Sequence, residues 1–113
     1  MNYATRFLDR TVEIKIDRPL DSKHPTHRYY YPVNYGFVEH TVAPDGKGVD
    51  AYVLGVFKPV ESFAGRCIAV IHRLDDEDDK LILAPAGRDF SDEQIRALIE
   101  FQERFFKSEI VKK

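Results

Sequence analysis

Hydrophobic and polar residues alternate over residues 11–16. Val12, Ile14 and Ile16 share one face and Glu13 and Lys15 the other, which predicts a half-buried strand. Residues 17–28 hold two prolines among polar side chains and read as a loop. Residues 33–42, rich in aromatic and β-branched side chains, predict a second strand in which Gly36 marks a bulge or a close backbone approach. A turn at 43–48 follows from Pro44, Asp45 and Gly46. Residues 51–57 and 66–72 are short apolar runs typical of well-buried strands, joined by a loop at 58–65. A further run at 80–84 stops at Pro85.

The last segment changes period. Ser91 and Gln94 form a capping box, with Asp92 and Glu93 in the first turn to suit the helix dipole. Behind it Ile95, Leu98, Ile99, Phe101 at the stripe's edge, Phe105 and Phe106 recur at helical spacing, predicting a helix from residue 92 to about 107. Five short strands and one C-terminal α-helix make a mainly β protein, a small closed or partly open β-barrel with the helix packed against it.

Composition narrows the setting. The 113 residues fit a single domain, 1–113, and the 43% hydrophobic and 32% charged content is that of a soluble globular protein. No apolar run approaches the ~20 residues of a membrane span. The first residues lack the apolar core of a signal peptide, and Cys67 is the only cysteine, so a reducing cytoplasm is the expected location. A net charge of -2 gives no global basic footprint for nucleic acid. Charge is uneven, however. Arg18, Lys23 and Arg28 cluster with His24 and His27, whereas residues 75–79 are an unbroken acidic run. Such unevenness suits a site that holds both cations and an anion, and equally two unrelated solvated loops.

Two acids flank the turn. Asp45 at its tip and Asp50 at the start of the next strand can converge on a hard cation such as Mg²⁺, and spacing alone serves equally well a turn residue and a strand-end acid. The His24–His27 spacing occurs in metal sites, but Pro25 lies between them and no cysteine is near, which argues against zinc. Cys67 reads as a buried small hydrophobe. His40 and His72 read as strand residues, and nothing in the sequence selects either as a base.

Residues 31–50, YPVNYGFVEHTVAPDGKGVD, resemble the signature region of the soluble family I inorganic pyrophosphatases, in which Y-P-x-N-Y-G-[FY] leads into D-G-D-P-x-D. The resemblance implies an OB-like barrel and a magnesium-dependent hydrolase that splits pyrophosphate into two phosphates. It implies metal ligation by Asp45, Asp50, Asp75 and Asp78, with Asp79 as the substitute for Asp78, and by Glu13. It places Asp45, Asp50 and Lys47 at the catalytic positions and Tyr35, Tyr31 and Lys80 at the phosphates. Arg28 joins them by location, as the basic residue nearest the tyrosines. Such enzymes commonly assemble, which leaves room for a homo-oligomer; no nucleic acid and no membrane is expected as partner.

Three features depart from the pattern: the turn, the strands ahead of the signature and the closing helix. Lys47 stands where the family has an aspartate that helps activate the attacking water, and Gly48 replaces the proline. The strands that normally supply a lysine and an arginine ahead of the signature are reduced to one loop. The Tyr-Lys pair of the closing helix matches Phe105 and Phe106, or Phe106 and Lys107 after a one-residue slip. These departures define an alternative: a catalytically weakened or inactive module that binds a phosphorylated metabolite, with Lys47 as a built-in cation. A third reading, a single-stranded nucleic-acid binder stacking bases on Tyr29, Tyr30 and Tyr31, is opposed by the net charge and the acidic run.

Overall fold

The side-chain alternation of the strands decides where everything else sits. The computed structural model describes residues 2–113. It contains strands β1 (Thr11–Arg18), β2 (Asn34–Val38), β3 (Val49–Val53), β4 (Ser62–Arg73) and β5 (Lys80–Ala84), then helix α1 (Asp92–Glu103) and strand β6 (Ser108–Val111). The sheet order is β1-β2-β3-β5-β4-β6, and a further pairing of β1 with β4 closes five strands into a barrel, with β6 added on the outer side of β4. All pairs are antiparallel except β3 with β5.

Inside the barrel pack Val12, Ile14 and Ile16 of β1, Val49, Ala51 and Val53 of β3, Cys67 and Val70 of β4, and Leu81 and Leu83 of β5. Alternate residues point the other way and meet the helix: Tyr35, Tyr52, Ile71 and Ile82 pack with Ile95 and Ile99. Ile95 and Ile99 are fully buried, and each such side chain contributes roughly 1.5–3 kcal/mol of burial, which holds α1 on the sheet. Asp50 and Lys80 share this helix-side face because each precedes an interior residue by one position. The parallel register sets them directly opposite each other.

The expected mainly β barrel with one helix is what the chain forms. Several boundaries differ. β4 begins at Ser62 rather than 66, because residues 62–66 pair with β1 and close the barrel. β2 ends at Val38, and His40 turns the chain with a left-handed φ of 61°. α1 ends at Glu103, and the residues beyond it return as β6, a strand that a four-residue stretch did not announce. The capping box at Ser91 is formed as expected. Gly36 is a close approach: a Cβ there would lie 1.9 Å from the Lys15 carbonyl oxygen, so only glycine lets β2 cross β1 at this point.

Candidate functional site

The register of β3 and β5 builds the centre of a cleft. Lys80 Nζ donates to Asp50 Oδ2 at 2.7 Å and to Asp78 Oδ2 at 2.8 Å, and its side chain is only 3% exposed. Burial alone would pull the ammonium down, but the charges and hydrogen bonds of Asp50 and Asp78 outweigh it and hold Lys80 above the ordinary lysine value. It is therefore a fixed cation. Each carboxylate keeps a second oxygen to offer. Tyr35 lies alongside, its ring centroid 5.7 Å from Lys80 Nζ. Burial, reinforced by the Asp50 and Asp78 charges, pushes its phenol well above the ordinary value, so the hydroxyl keeps its proton and can donate it.

The turn after β2 forms the mouth. Asp45 Oδ1 accepts the Lys47 backbone N–H at 2.9 Å, and the Ala43 N–H donates to the Lys47 carbonyl at 2.6 Å. Gly46, at φ 84°, supplies the left-handed residue that this tight loop needs. Asp45 and Lys47, both exposed, line the cleft together with Asp50, Asp78, Lys80, Tyr31 and Tyr35; its volume is about 550 Å³.

The far wall comes from the end of α1 and from Arg73. The Arg73 guanidinium donates from Nε to Glu103 Oε1 at 3.1 Å and from Nη2 to Glu103 Oε2 at 2.8 Å, while Nη1 reaches Asp76 Oδ2 at 3.2 Å. Phe106 covers it, 3.6 Å from ring centroid to Cζ. Burial opposes the Arg73 charge, but the Glu103 bonds and charge, aided by Asp76 and Asp78, raise its pKa above the usual arginine range. Glu103 also accepts the Tyr52 hydroxyl, Tyr52 accepts from Gln102 Nε2 at 2.7 Å, and Gln102 Oε1 accepts the hydroxyls of Tyr29 and Tyr31 at 2.9 and 3.1 Å. A continuous polar network thus runs from the helix into the cleft.

Three expected residues lie elsewhere. Glu13 lines a separate groove with Arg6 and Arg10. It shares its side of β1 with Asp17, which does line the cleft, but lies four residues, about 13 Å, earlier along the strand. Asp75 is drawn off by the Lys107 backbone N–H, which donates to its Oδ2 at 3.1 Å. Arg28 is exposed on the loop and outside the lining. Asp79 is buried behind the site: its Oδ1 accepts the Arg73 N–H and its Oδ2 accepts from Asn2, so of the two neighbouring acids Asp78 is the one in the cleft. Arg73, Gln102 and Glu103 are functional residues absent from the sequence expectations. The signal was present: Gln102 and Glu103 continue the buried stripe of Ile95 and Ile99 at helical spacing, which puts two polar residues on an apolar face.

The lining holds four carboxylates (Asp17, Asp45, Asp50, Asp78) and four permanent cations (Arg18, Lys47, Arg73, Lys80), a formal balance of zero. No three His, Cys, Asp or Glu side chains among the described residues close on one point. The donor set therefore does not make an all-protein metal cage. It does fit Mg²⁺, which takes one or two carboxylates, keeps several waters and shares the phosphate oxygens of its substrate.

The family model described as inorganic pyrophosphatase matches residues 8–111. An inorganic pyrophosphatase of Rickettsia felis is 34% identical over 82 residues, covering 68% of this chain and 47% of that protein. One of Helicobacter pylori is 41% identical over 62 residues, covering 51% and 36%. The chain thus spans less than half the length of these curated relatives. Among solved structures, the inorganic pyrophosphatase of Ehrlichia chaffeensis superposes with a TM-score of 0.71 at 22% identity, covering 93% of this chain and 87% of that one.

Proposed function

The chain belongs to the inorganic pyrophosphatase family, and on that premise we propose that it hydrolyses pyrophosphate to two phosphates with Mg²⁺ as cofactor. The observation that carries the reading is Asp50 and Asp78 held on a buried Lys80 beside Tyr35, in a cleft whose mouth Asp45 lines.

Asp45, Asp50 and Asp78 are the residues that would hold Mg²⁺, which when bound polarises phosphoryl oxygens and offsets their charge. The cleft's formal balance of zero supports this: its own side chains leave no surplus positive charge for a polyanion, and bound Mg²⁺ would offset the substrate's charge. Lys80 and Tyr35 donate to phosphate oxygens at the inner end, Tyr31 stands beside them, and Lys47 adds an ammonium at the mouth. Asp50, with one oxygen fixed by Lys80, orients the attacking water and receives its proton. Glu13, Arg28 and Asp75 take no part in this arrangement.

Among the described residues no helix is long and apolar enough to cross a membrane. A cytoplasmic setting belongs to the same proposal and suits the lone, buried Cys67. The test is incubation of the full chain with pyrophosphate and Mg²⁺. The reading expects two phosphates per pyrophosphate consumed and arrest by a chelator; pyrophosphate left intact counts against it.

A further inference from the structure

The cleft has two chemically different ends. The inner end presents Lys80, Asp50 and Asp78. The outer end is a wall of rings: His27 lies nearly parallel to Tyr29 (5.6 Å between centroids, 10°) and to Phe105 (6.0 Å, 18°). Phe105 is 56% exposed although it lines the cleft, so a large apolar face is left open to solvent beside a polar site.

An inorganic diphosphate has no π face and makes no use of that wall. The volume of about 550 Å³ lies within the range of roughly 300–1,000 Å³ typical of organic ligand sites. The two ends also adjoin each other. Phe106, next in the chain to Phe105, covers Arg73, whose Nη1 lies 3.7 Å from Asp78 Oδ2. Both ends line the one cleft, so a ligand with a phosphoanhydride at one end and an aromatic ring at the other can engage both, and stacking of a base on such rings is tolerant of base identity.

We infer that the cleft takes nucleoside 5′-diphosphates, the base stacked on Phe105 and His27 and the diphosphate at Lys80. The inference rests on the phosphoanhydride-hydrolysing reading above and extends its substrate class. In the reaction a water oxygen bonds to the terminal phosphorus and the bond from that phosphorus to the bridging oxygen breaks. The electron pair stays on the bridging oxygen of the nucleoside monophosphate, and the water's proton passes by way of Asp50 to solvent. Nothing is oxidised or reduced.

Calorimetry with Mg²⁺ compares a methylene-bridged adenosine diphosphate, which cannot be cleaved at the bridge, with methylenediphosphonate. Phosphate release from adenosine diphosphate and from pyrophosphate is followed on the same preparation. Expected are binding of the nucleotide analogue about tenfold or more tighter than methylenediphosphonate, a loss of that preference in Phe105→Ala, its retention in Phe105→Trp, and phosphate release from adenosine diphosphate. Equal affinity for the two analogues, or a preference that survives Phe105→Ala, overturns the inference, while release from pyrophosphate leaves the pyrophosphatase reading intact. A preference for the nucleotide with no release from either substrate overturns the substrate assignment together with the reading on which it rests.

Discussion

Arg73 at the end of β4 and Glu103 at the end of α1 are joined by two charge-assisted hydrogen bonds of 3.1 and 2.8 Å, with both side chains almost fully buried. The pair pins the helix end to the sheet beside the cleft. Removing Glu103 leaves the buried Arg73 with only Asp76 and Asp78 at its Nη1, at a cost of up to roughly 3–5 kcal/mol, whereas replacing both partners by apolar groups costs far less. Denaturant unfolding of Glu103→Ala is expected to show a loss of that size. Arg73→Met with Glu103→Leu should recover most of it, and a double variant no more stable than Glu103→Ala would show that the pair is not the source.

Gly36 makes a second prediction. A methyl group there meets the Lys15 carbonyl at 1.9 Å and the Ile16 Cα at 2.9 Å, both backbone atoms that cannot rotate away. Gly36→Ala must push β1 and β2 apart, at a cost of about 1–3 kcal/mol or more. It also displaces the adjacent Tyr35, so phosphate release should fall along with the unfolding midpoint. An unchanged midpoint would mean that the two strands are not so tightly apposed.

The pH dependence of stability should carry a contribution from His72. The hydrogen bond from its Nδ1 to buried Asp79, 3.0 Å long, raises its pKa above the ordinary 6.5 against a smaller opposing effect of burial, with the Asp79 and Glu109 charges adding. A raised folded pKa means the stabilisation is fully present below about 6.5 and is lost as pH rises through the folded value. The imidazole is 39% exposed, so water screens the effect and keeps it small. Unfolding midpoints of wild type and His72→Asn should therefore converge as pH is raised from the acid side through that window. Curves that stay parallel on both sides of it contradict the assignment.

Lys47 sets the electrostatics of the mouth. Lys47→Asp exchanges a cation for an anion beside Asp45 and Asp50 in the cleft lining, and even with solvent screening this should lower the Mg²⁺ concentration for half-maximal phosphate release by roughly tenfold. An unchanged Mg²⁺ requirement would place the Lys47 charge away from the ion.

The parts of the molecule legible in the sequence are those coded locally. The alternation of Val12, Ile14 and Ile16, the run at residues 80–84 and the Ser91 cap each declare an element within a few residues, and all three elements form. The turn acids Asp45 and Asp50 and the Asp78–Lys80 stretch were equally readable, because each lies in a short contiguous motif. The roles of Arg73, Gln102 and Asp17 were not, because only barrel closure and helix docking bring them to the cleft from three separate segments, with Glu103 behind Arg73. Strand β6 escaped because four residues without flanking turn signals have no period to detect. Asp75 and Glu13 were expected in the cleft from the family resemblance; the Lys107 N–H holds the Asp75 carboxylate elsewhere, and Glu13 lies too far back along β1.

Hydrolysis of pyrophosphate through Asp50 is decided by phosphate release at millimolar Mg²⁺, measured for the wild type and for Asp50→Asn side by side. The wild type should release phosphate and the variant should do so at least roughly 100-fold more slowly. No release from the wild type, or equal release from both proteins, would show that the cleft does not work through Asp50.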